Sequence, residues 1–496
     1  MNAAETLLAA GCDDRIALQC CDQQITYRIL RRLVRQNAGA WQARGVRPGD
    51  RVFVAAPDSV DWVVTYLGVI WAGGVAVGVN PQLPASELES LLAESDARFV
   101  WCEDEVACTV EHMESVTVHA LRNDPAWATE VAAAPMVPAT QCDSEDPALW
   151  LGTSGTTGVP KGVVHVHRTV IDAHSFTCGV LGADSSDRFY ATSRLFFSYA
   201  LGNALFAGLR IGATVILDRE GPTPERVAAM VDRYRPTVVF SVPTLYHKML
   251  QAGVAKRLAP LGVRHYVSAG ETLPPATRKG WREATGLAPI SGYGSSETIA
   301  LMLYCDDDTG WLKPTPLTEI AYGAGADPAV PQRIWLRHSA IARGYWRRPE
   351  AQADCFRAGG WFSPGDLFLR HAHDRLEFTG RNDDLLKIAG QWVSTLWVEQ
   401  RLAPAAGDAL QQLAAVGVPT EEGLTALAVL AVAAPGRREE ADRRLAAAVQ
   451  ALPRHRRPRW VHWVDALPLT ATGKLQRAGL KDLHAQALER RAALAA

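Results

Sequence analysis

Four short strings hold the residue types best suited to chemistry. The first runs Leu149-Trp150-Leu151-Gly152-Thr153-Ser154-Gly155-Thr156-Thr157-Gly158-Val159-Pro160-Lys161-Gly162. Its glycines let successive amides converge, its hydroxyls add donors and Lys161 supplies a fixed positive charge, a combination that suits a polyphosphate. No Gly-Lys-Ser/Thr opens a helix, so this is not the Walker pattern; taken alone, such a loop is also compatible with a flexible surface turn. The second string, Ser291-Gly292-Tyr293-Gly294-Ser295-Ser296-Glu297-Thr298, carries one carboxylate. Glu297 can hold Mg²⁺ on a nucleotide phosphate, or it can simply start a helix after two serines.

The third combines Gly365-Asp366-Leu367 with Gly380-Arg381-Asn382-Asp383-Asp384-Leu385-Leu386-Lys387-Ile388-Ala389-Gly390. An ionised Asp offers two acceptor oxygens, so Asp366 can take both hydroxyls of a ribose while Arg381 adds a donor; an Asp-capped turn with a surface salt bridge is the plainer alternative. The fourth, Leu467-Pro468-Leu469-Thr470-Ala471-Thr472-Gly473-Lys474-Leu475-Gln476-Arg477, by itself says little more than a solvated lysine in a Thr-rich turn. The pairs His165/His167 and His371/His373 do not read as metal sites, because alternate residues on a strand rarely converge with two further ligands.

The elements that must position these residues alternate. Arg51 to Ala56 reads as a strand and Val60 to Ala72 as a helix; Val215 to Leu217, Pro224 to Arg233 and Val238 to Ser241 repeat strand, helix, strand, which predicts parallel sheets covered by helices, an α/β class. After a strand-like Leu376 to Phe378 the polar turn at 380–384 marks a composition shift toward Ala, Arg and Leu. We place the boundary there, giving a large domain over 1–382 and a small α+β module over 383–496.

At 496 residues the chain is long enough for more than one domain. Its 51 Lys and Arg nearly balance 53 Asp and Glu, so no long-range field favours a nucleic-acid partner and any phosphate must be bound locally. Nine cysteines without a CxxC pair suit a reducing, cytoplasmic setting. No stretch reads as a signal peptide or membrane span, and a monomer or homodimer is expected.

In this order and at these separations, the four strings resemble the adenylate-forming superfamily of acyl-CoA synthetases, luciferases and peptide-synthetase adenylation domains, over nearly the whole chain. The resemblance implies stacked α/β subdomains in the large domain and a mobile C-terminal lid, with ATP, Mg²⁺ and coenzyme A as cofactors. It assigns the β- and γ-phosphates to Thr153 through Lys161, including Ser154, Gly155, Thr156, Thr157 and Gly158, and Mg²⁺ to Glu297 beside Thr298. Adenine falls between Ala269-Gly270-Glu271 and Tyr293-Gly294, and ribose on Asp366 with Arg381. Lys474 is implied to reach from the lid toward the carboxylate and the α-phosphate. The lid then turns about Asp383 and presents the loop from Lys387 to Gly390, where a side chain would obstruct a pantetheine tunnel.

Within that superfamily, Arg194-Leu195-Phe196-Phe197-Ser198-Tyr199-Ala200-Leu201-Gly202-Asn203-Ala204-Leu205 is similar to the segment found in benzoate-CoA ligases. Phe197, Ser198 and Tyr199 are expected to wall a site for a small aryl carboxylic acid, with Phe196 in the core. Two departures stand out. Ala300 replaces a larger polar residue, which makes room for a ring substituent; Thr395 and Trp397 replace a Pro and a Glu in the lid, which bears on the acceptor, either coenzyme A or the phosphopantetheine arm of an acyl carrier protein.

Overall fold

The computed structural model describes residues 1–113, 118–153, 161–323, 327, 330–381, 385–388, 391–420, 424–469, 475–477 and 479–495. Packing divides the chain into two compact units, 1–321 with 335–364 and 322–334 with 365–496.

The first unit holds two large sheets. In one, the central strands run parallel in the order Ile290–Tyr293, His265–Ser268, Val238–Ser241, Arg188–Ala191, Thr214–Leu217 and Ile16–Cys20, with antiparallel strands at both edges. In the other, His119–Arg122, Phe99–Cys102, Arg51–Ala55, Val75–Gly78 and Pro147–Thr153 are parallel, and Lys161–Val166 and Gly344–Tyr345 close one edge antiparallel. Strands covered on both faces read as unbroken apolar runs, as in Val238–Ser241, which is buried throughout.

The helices begin and end where side-chain chemistry dictates. Ser59 caps Val60–Trp71 by accepting the Trp62 N–H at 3.1 Å, and every residue of that helix except Asp61 is buried. Thr223 caps Pro224–Tyr234, with the proline in the first turn where its missing N–H costs nothing. That helix stops at Arg235, whose φ of 49° lies in the left-handed region. Tyr246, Tyr266 and Trp281 meet edge to face beneath the first sheet, each fully buried. The expected strands and helices at 51–72 and 214–241 are thus present, with ends shifted by a residue.

In the second unit, Asp366–Arg370 pairs antiparallel with Leu376–Arg381, and Leu385–Ile388 with Gln391–Ser394. A three-stranded sheet follows: Leu410–Pro419 lies antiparallel to Thr425–Ala433, which pairs in parallel with Trp460–Trp463. Thr395–Ala406 and Arg438–Ala451 pack on it as helices. Among the described residues no helix is long and apolar enough to cross a membrane, and all nine cysteines are free thiols.

Candidate active site

In the first unit the candidate residues collect at the carboxyl ends of parallel strands. Thr153 ends Pro147–Thr153, Ala269, Gly270 and Glu271 follow His265–Ser268, Tyr293 ends Ile290–Tyr293, and the 194–199 segment follows Arg188–Ala191. Open α/β sheets bind ligands along this edge, because the strands stop there and the loops remain free to shape a crevice.

Glu297 is the best-defined side chain of the group. The Tyr345 hydroxyl donates to its Oε1 at 2.7 Å, and the Lys161 ammonium sits 5.4 Å from the centre of the Tyr345 ring. Burial and then the Glu297 charge push the Tyr345 phenol well above its ordinary pKa, so it stays a donor. Strand pairing explains the meeting: Gly344 and Tyr345 lie opposite Val164 and Val163 of the strand that Lys161 begins. The Glu297 backbone is held as well, since its carbonyl accepts the Ala342 N–H at 2.7 Å. His165 Nε2 donates to the Ser296 carbonyl at 2.7 Å, and burial keeps this imidazole neutral, its pKa lowered to about 4. His167 turns elsewhere, accepting the Ala3 N–H.

Past Glu297 the chain makes a tight turn. Ser295 N–H donates to Thr298 Oγ1 at 2.9 Å, and that hydroxyl donates to the Ala300 carbonyl at 2.9 Å. Asn203, 1% exposed, then ties this turn to the helix after the 194–199 segment: its Oδ1 accepts the Leu301 N–H at 3.1 Å while its Nδ2 donates to Tyr199 O at 3.1 Å. The buried Ala300 is thereby brought to the 199–203 segment. Tyr199 offers ring surface only, for its hydroxyl donates to the Val267 carbonyl at 3.0 Å and its ring meets Phe240 edge-on. Phe196, expected in the core, is instead half-buried like Phe197, their ring centres 4.4 Å apart, and Ser198 opens the short helix Ser198–Ala200.

Around the candidate adenine crevice, Gly270 has φ +89°, which only glycine adopts freely. A Cβ on Gly294 would stand 2.9 Å from the Ala300 carbonyl. Glu271 accepts from the Thr244 hydroxyl at 2.7 Å, and Tyr293 is half-buried.

In the second unit, register places Asp366 directly opposite Arg381, and Lys387 opposite Trp392. Leu469 bridges Leu475, and Arg477 forms a two-pronged pair with Glu399, both contacts 3.0 Å, anchoring the stretch just after Lys474. Two guanidiniums approach the Trp397 ring, Arg456 at 4.1 Å and Arg401 at 5.2 Å from its centre. Ser154, Gly155, Thr156, Thr157, Gly158, Asp383, Gly390 and Lys474 lie outside the described residues, and Thr153, Arg381 and Lys387 are described by backbone alone.

Sequence reasoning missed Tyr345, Asn203 and the Glu399–Arg477 pair as positioning groups. Asn203 and Arg477 stood inside the quoted strings, and a polar side chain within an otherwise apolar run was the available signal for Asn203. Nothing in the local pattern marks Tyr345.

Comparison with known proteins gives consistent matches. Residues 7–346 match the AMP-binding enzyme family, and 402–474 the AMP-binding enzyme C-terminal domain. A 3-hydroxybenzoate–CoA ligase from Aromatoleum sp. (strain CIB) is 38% identical, covering 97% of each chain. Among solved structures, a benzoate CoA ligase from Burkholderia xenovorans LB400 is 30% identical with a TM-score of 0.86, over 97% of this chain and 100% of that one. The anthranilate CoA ligase AuaEII in complex with anthranoyl-AMP is 28% identical with a TM-score of 0.87, over 98% and 97%.

Proposed function

Because the chain belongs to the AMP-binding enzyme family, we propose that it activates a small aromatic carboxylic acid with ATP as an acyl-adenylate and transfers the acyl group to the thiol of coenzyme A, releasing AMP and pyrophosphate. The observation that carries this reading is the 38% identity over 97% of both chains to an aryl-CoA ligase, joined to the Glu297–Tyr345–Lys161 constellation at the strand ends.

The chemistry follows from leaving groups. A carboxylate is a poor acyl donor because oxide would have to depart; joined to AMP, it leaves a phosphate instead. Two anions must meet for that bond to form, so the protein has to place cations where charge gathers. Lys161 and the 153–158 loop take the β- and γ-phosphates, and Lys474 meets the carboxylate and the α-phosphate. Asp366 accepts both ribose hydroxyls with Arg381 beside it, while the 269–271 and 293–294 segments flank adenine and Thr298 braces the Glu297 turn. Glu297 fits Mg²⁺: one carboxylate oxygen is taken by Tyr345, and the other has no partner among the described residues, as an oxygen-seeking ion requires. When bound, Mg²⁺ neutralises phosphate charge. For the second half-reaction the lid turns about Asp383 and brings Lys387 to Gly390 to the thiol.

The acid is a benzoate with a small ring substituent. The 3-hydroxybenzoate relative and the small side chain at Ala300, beside Phe197, Ser198 and Tyr199, support that choice. The cytoplasm supplies both ATP and coenzyme A. Acid-dependent exchange of pyrophosphate into ATP, run with benzoate, hydroxybenzoates, aminobenzoates and cinnamates, should be highest for a hydroxybenzoate. Thioester formation is then scored with coenzyme A and with pantetheinylated carrier proteins; turnover only with a carrier would replace the acceptor in this reading.

A further inference from the structure

One buried carboxylate has no part in the chemistry above. Asp58, 5% exposed, follows the Arg51–Ala55 strand of one sheet, yet its partners belong to the loop leaving the other. The Leu195 N–H donates to both of its oxygens at 3.2 Å, and Arg194 Nη1 stands 3.8 Å from its Oδ2. Arg194 continues outward, donating to the carbonyls of Asp218 and Arg219 beyond Thr214–Leu217. Gly78, at the end of the neighbouring strand of the same sheet, lets the turn come close: a Cβ there would sit 3.2 Å from the Phe196 Cα. The turn itself closes where Phe197 N–H donates to Arg194 O at 3.0 Å. Phe196 and Phe197 therefore take their position from a clasp between the two sheets, and Asp58 is its centre.

We propose that Asp58 is a positioning residue for the aryl acid: in its ionised form it clamps the Arg194–Phe197 turn across the two sheets and so sets the aromatic wall of the acid site. This rests on the reading of Phe197 as part of that wall. An uncharged group at this place keeps an acceptor for Leu195 but loses its hold on Arg194, so the acid loses affinity while ATP does not.

The charges around Asp58 make its ionisation sensitive to pH near neutrality. Burial pushes the Asp58 carboxyl up to about 7, against the pull of Arg194 and the Leu195 N–H, and Asp218 adds to the rise. Asp218 is gripped by Arg226 at 2.6 Å and accepts from the Tyr190 hydroxyl at 3.4 Å, and Arg226 also meets Glu220 at 3.0 Å. On the helix after Asp58, burial pushes the Asp61 carboxyl up, with Arg219 opposing and Glu103 adding to the rise, and those two pair with each other at 3.3 Å. Since the clamping form is the deprotonated one, acid binding is tight above neutrality and weakens as pH falls through the Asp58 pKa. Aryl carboxylic acids remain ionised throughout that range, so the change belongs to the protein.

The test measures pyrophosphate release with 3-hydroxybenzoate varied at saturating ATP and Mg²⁺, between about pH 6 and pH 9, in the full-length wild type and Asp58→Asn. At the alkaline end D58N should raise the KM for the acid about tenfold with kcat and the KM for ATP within about twofold, the signature of binding lost equally from ground and transition states. Wild-type KM for the acid should climb as pH falls below neutrality, and D58N should be flat. An unchanged acid KM in D58N, or parallel loss of ATP and acid affinity, overturns the proposal. If D58N does not fold, the wild-type profile decides, and a pH-independent KM is the overturning result. Wild-type protein that turns over no aryl acid would defeat the underlying reading instead, an outcome visible before any variant is compared.

Discussion

In the proposed reaction single side chains do two kinds of work: some meet the reacting groups and their counter-ion, and others hold those in place. Glu297 belongs to the first kind and Tyr345, 2.7 Å away, to the second; the buried phenol stays protonated and so keeps donating. His165 is of the second kind as well: its Nε2 donates to the Ser296 carbonyl, and burial keeps the ring neutral, so no second charge is placed beside Glu297. Lys474 should be the decisive cation. A unit charge about 4 Å from an opposite one is worth about 4 kcal/mol at an effective dielectric near ~20, before desolvation is subtracted. Lys474→Ala should therefore slow adenylate formation about 10²-fold or more, measured by rapid-quench detection of acyl-AMP. Thioester formation from supplied acyl-adenylate should be nearly unaffected. A variant as fast as its parent in the first step would remove Lys474 from the mechanism.

At the scale of elements, the site depends on close approaches that leave no room for variation. The 201–206 segment winds as a π-helical stretch, and Gly202 lets it touch the 299–301 turn: a Cβ would stand 1.8 Å from the Ile299 carbonyl. Ile299 itself has φ 51°, an unfavourable conformation for a β-branched residue that Asn203 helps to hold by accepting the Leu301 N–H. Gly202→Ala should force the two segments apart and cost about 1–3 kcal/mol, the usual range for overpacking. Urea unfolding would read the loss as a lower midpoint, and the KM for the acid should rise with it. An unchanged midpoint would mean that the 299–301 turn yields freely and is not a rigid part of the site.

For the molecule as a whole, two compact units and two half-reactions suggest a division of labour in time. Fixing the backbone at the proposed pivot with Asp383→Pro should leave acid-dependent pyrophosphate exchange largely intact while thioester formation collapses; equal losses in both assays would contradict a pivoting lid. The parts of this protein that could be read from the chain alone are those whose chemistry is local. The expectation of a phosphate-binding loop rests on glycines, hydroxyls and a lysine within a few residues, and Asp366 stands opposite Arg381 because a short antiparallel pair sets them in register. Strand and helix at 51–72 followed from periodicity for the same reason. What only tertiary structure decided are the long-range bonds: Leu195 to Asp58 across 137 positions, Leu301 to Asn203 across 98, Arg477 to Glu399 across 78. A residue's type limits which bonds it can make, but its partner depends on which backbone groups two packed sheets leave facing each other, and that is settled by the burial of the whole core rather than by neighbours in the chain.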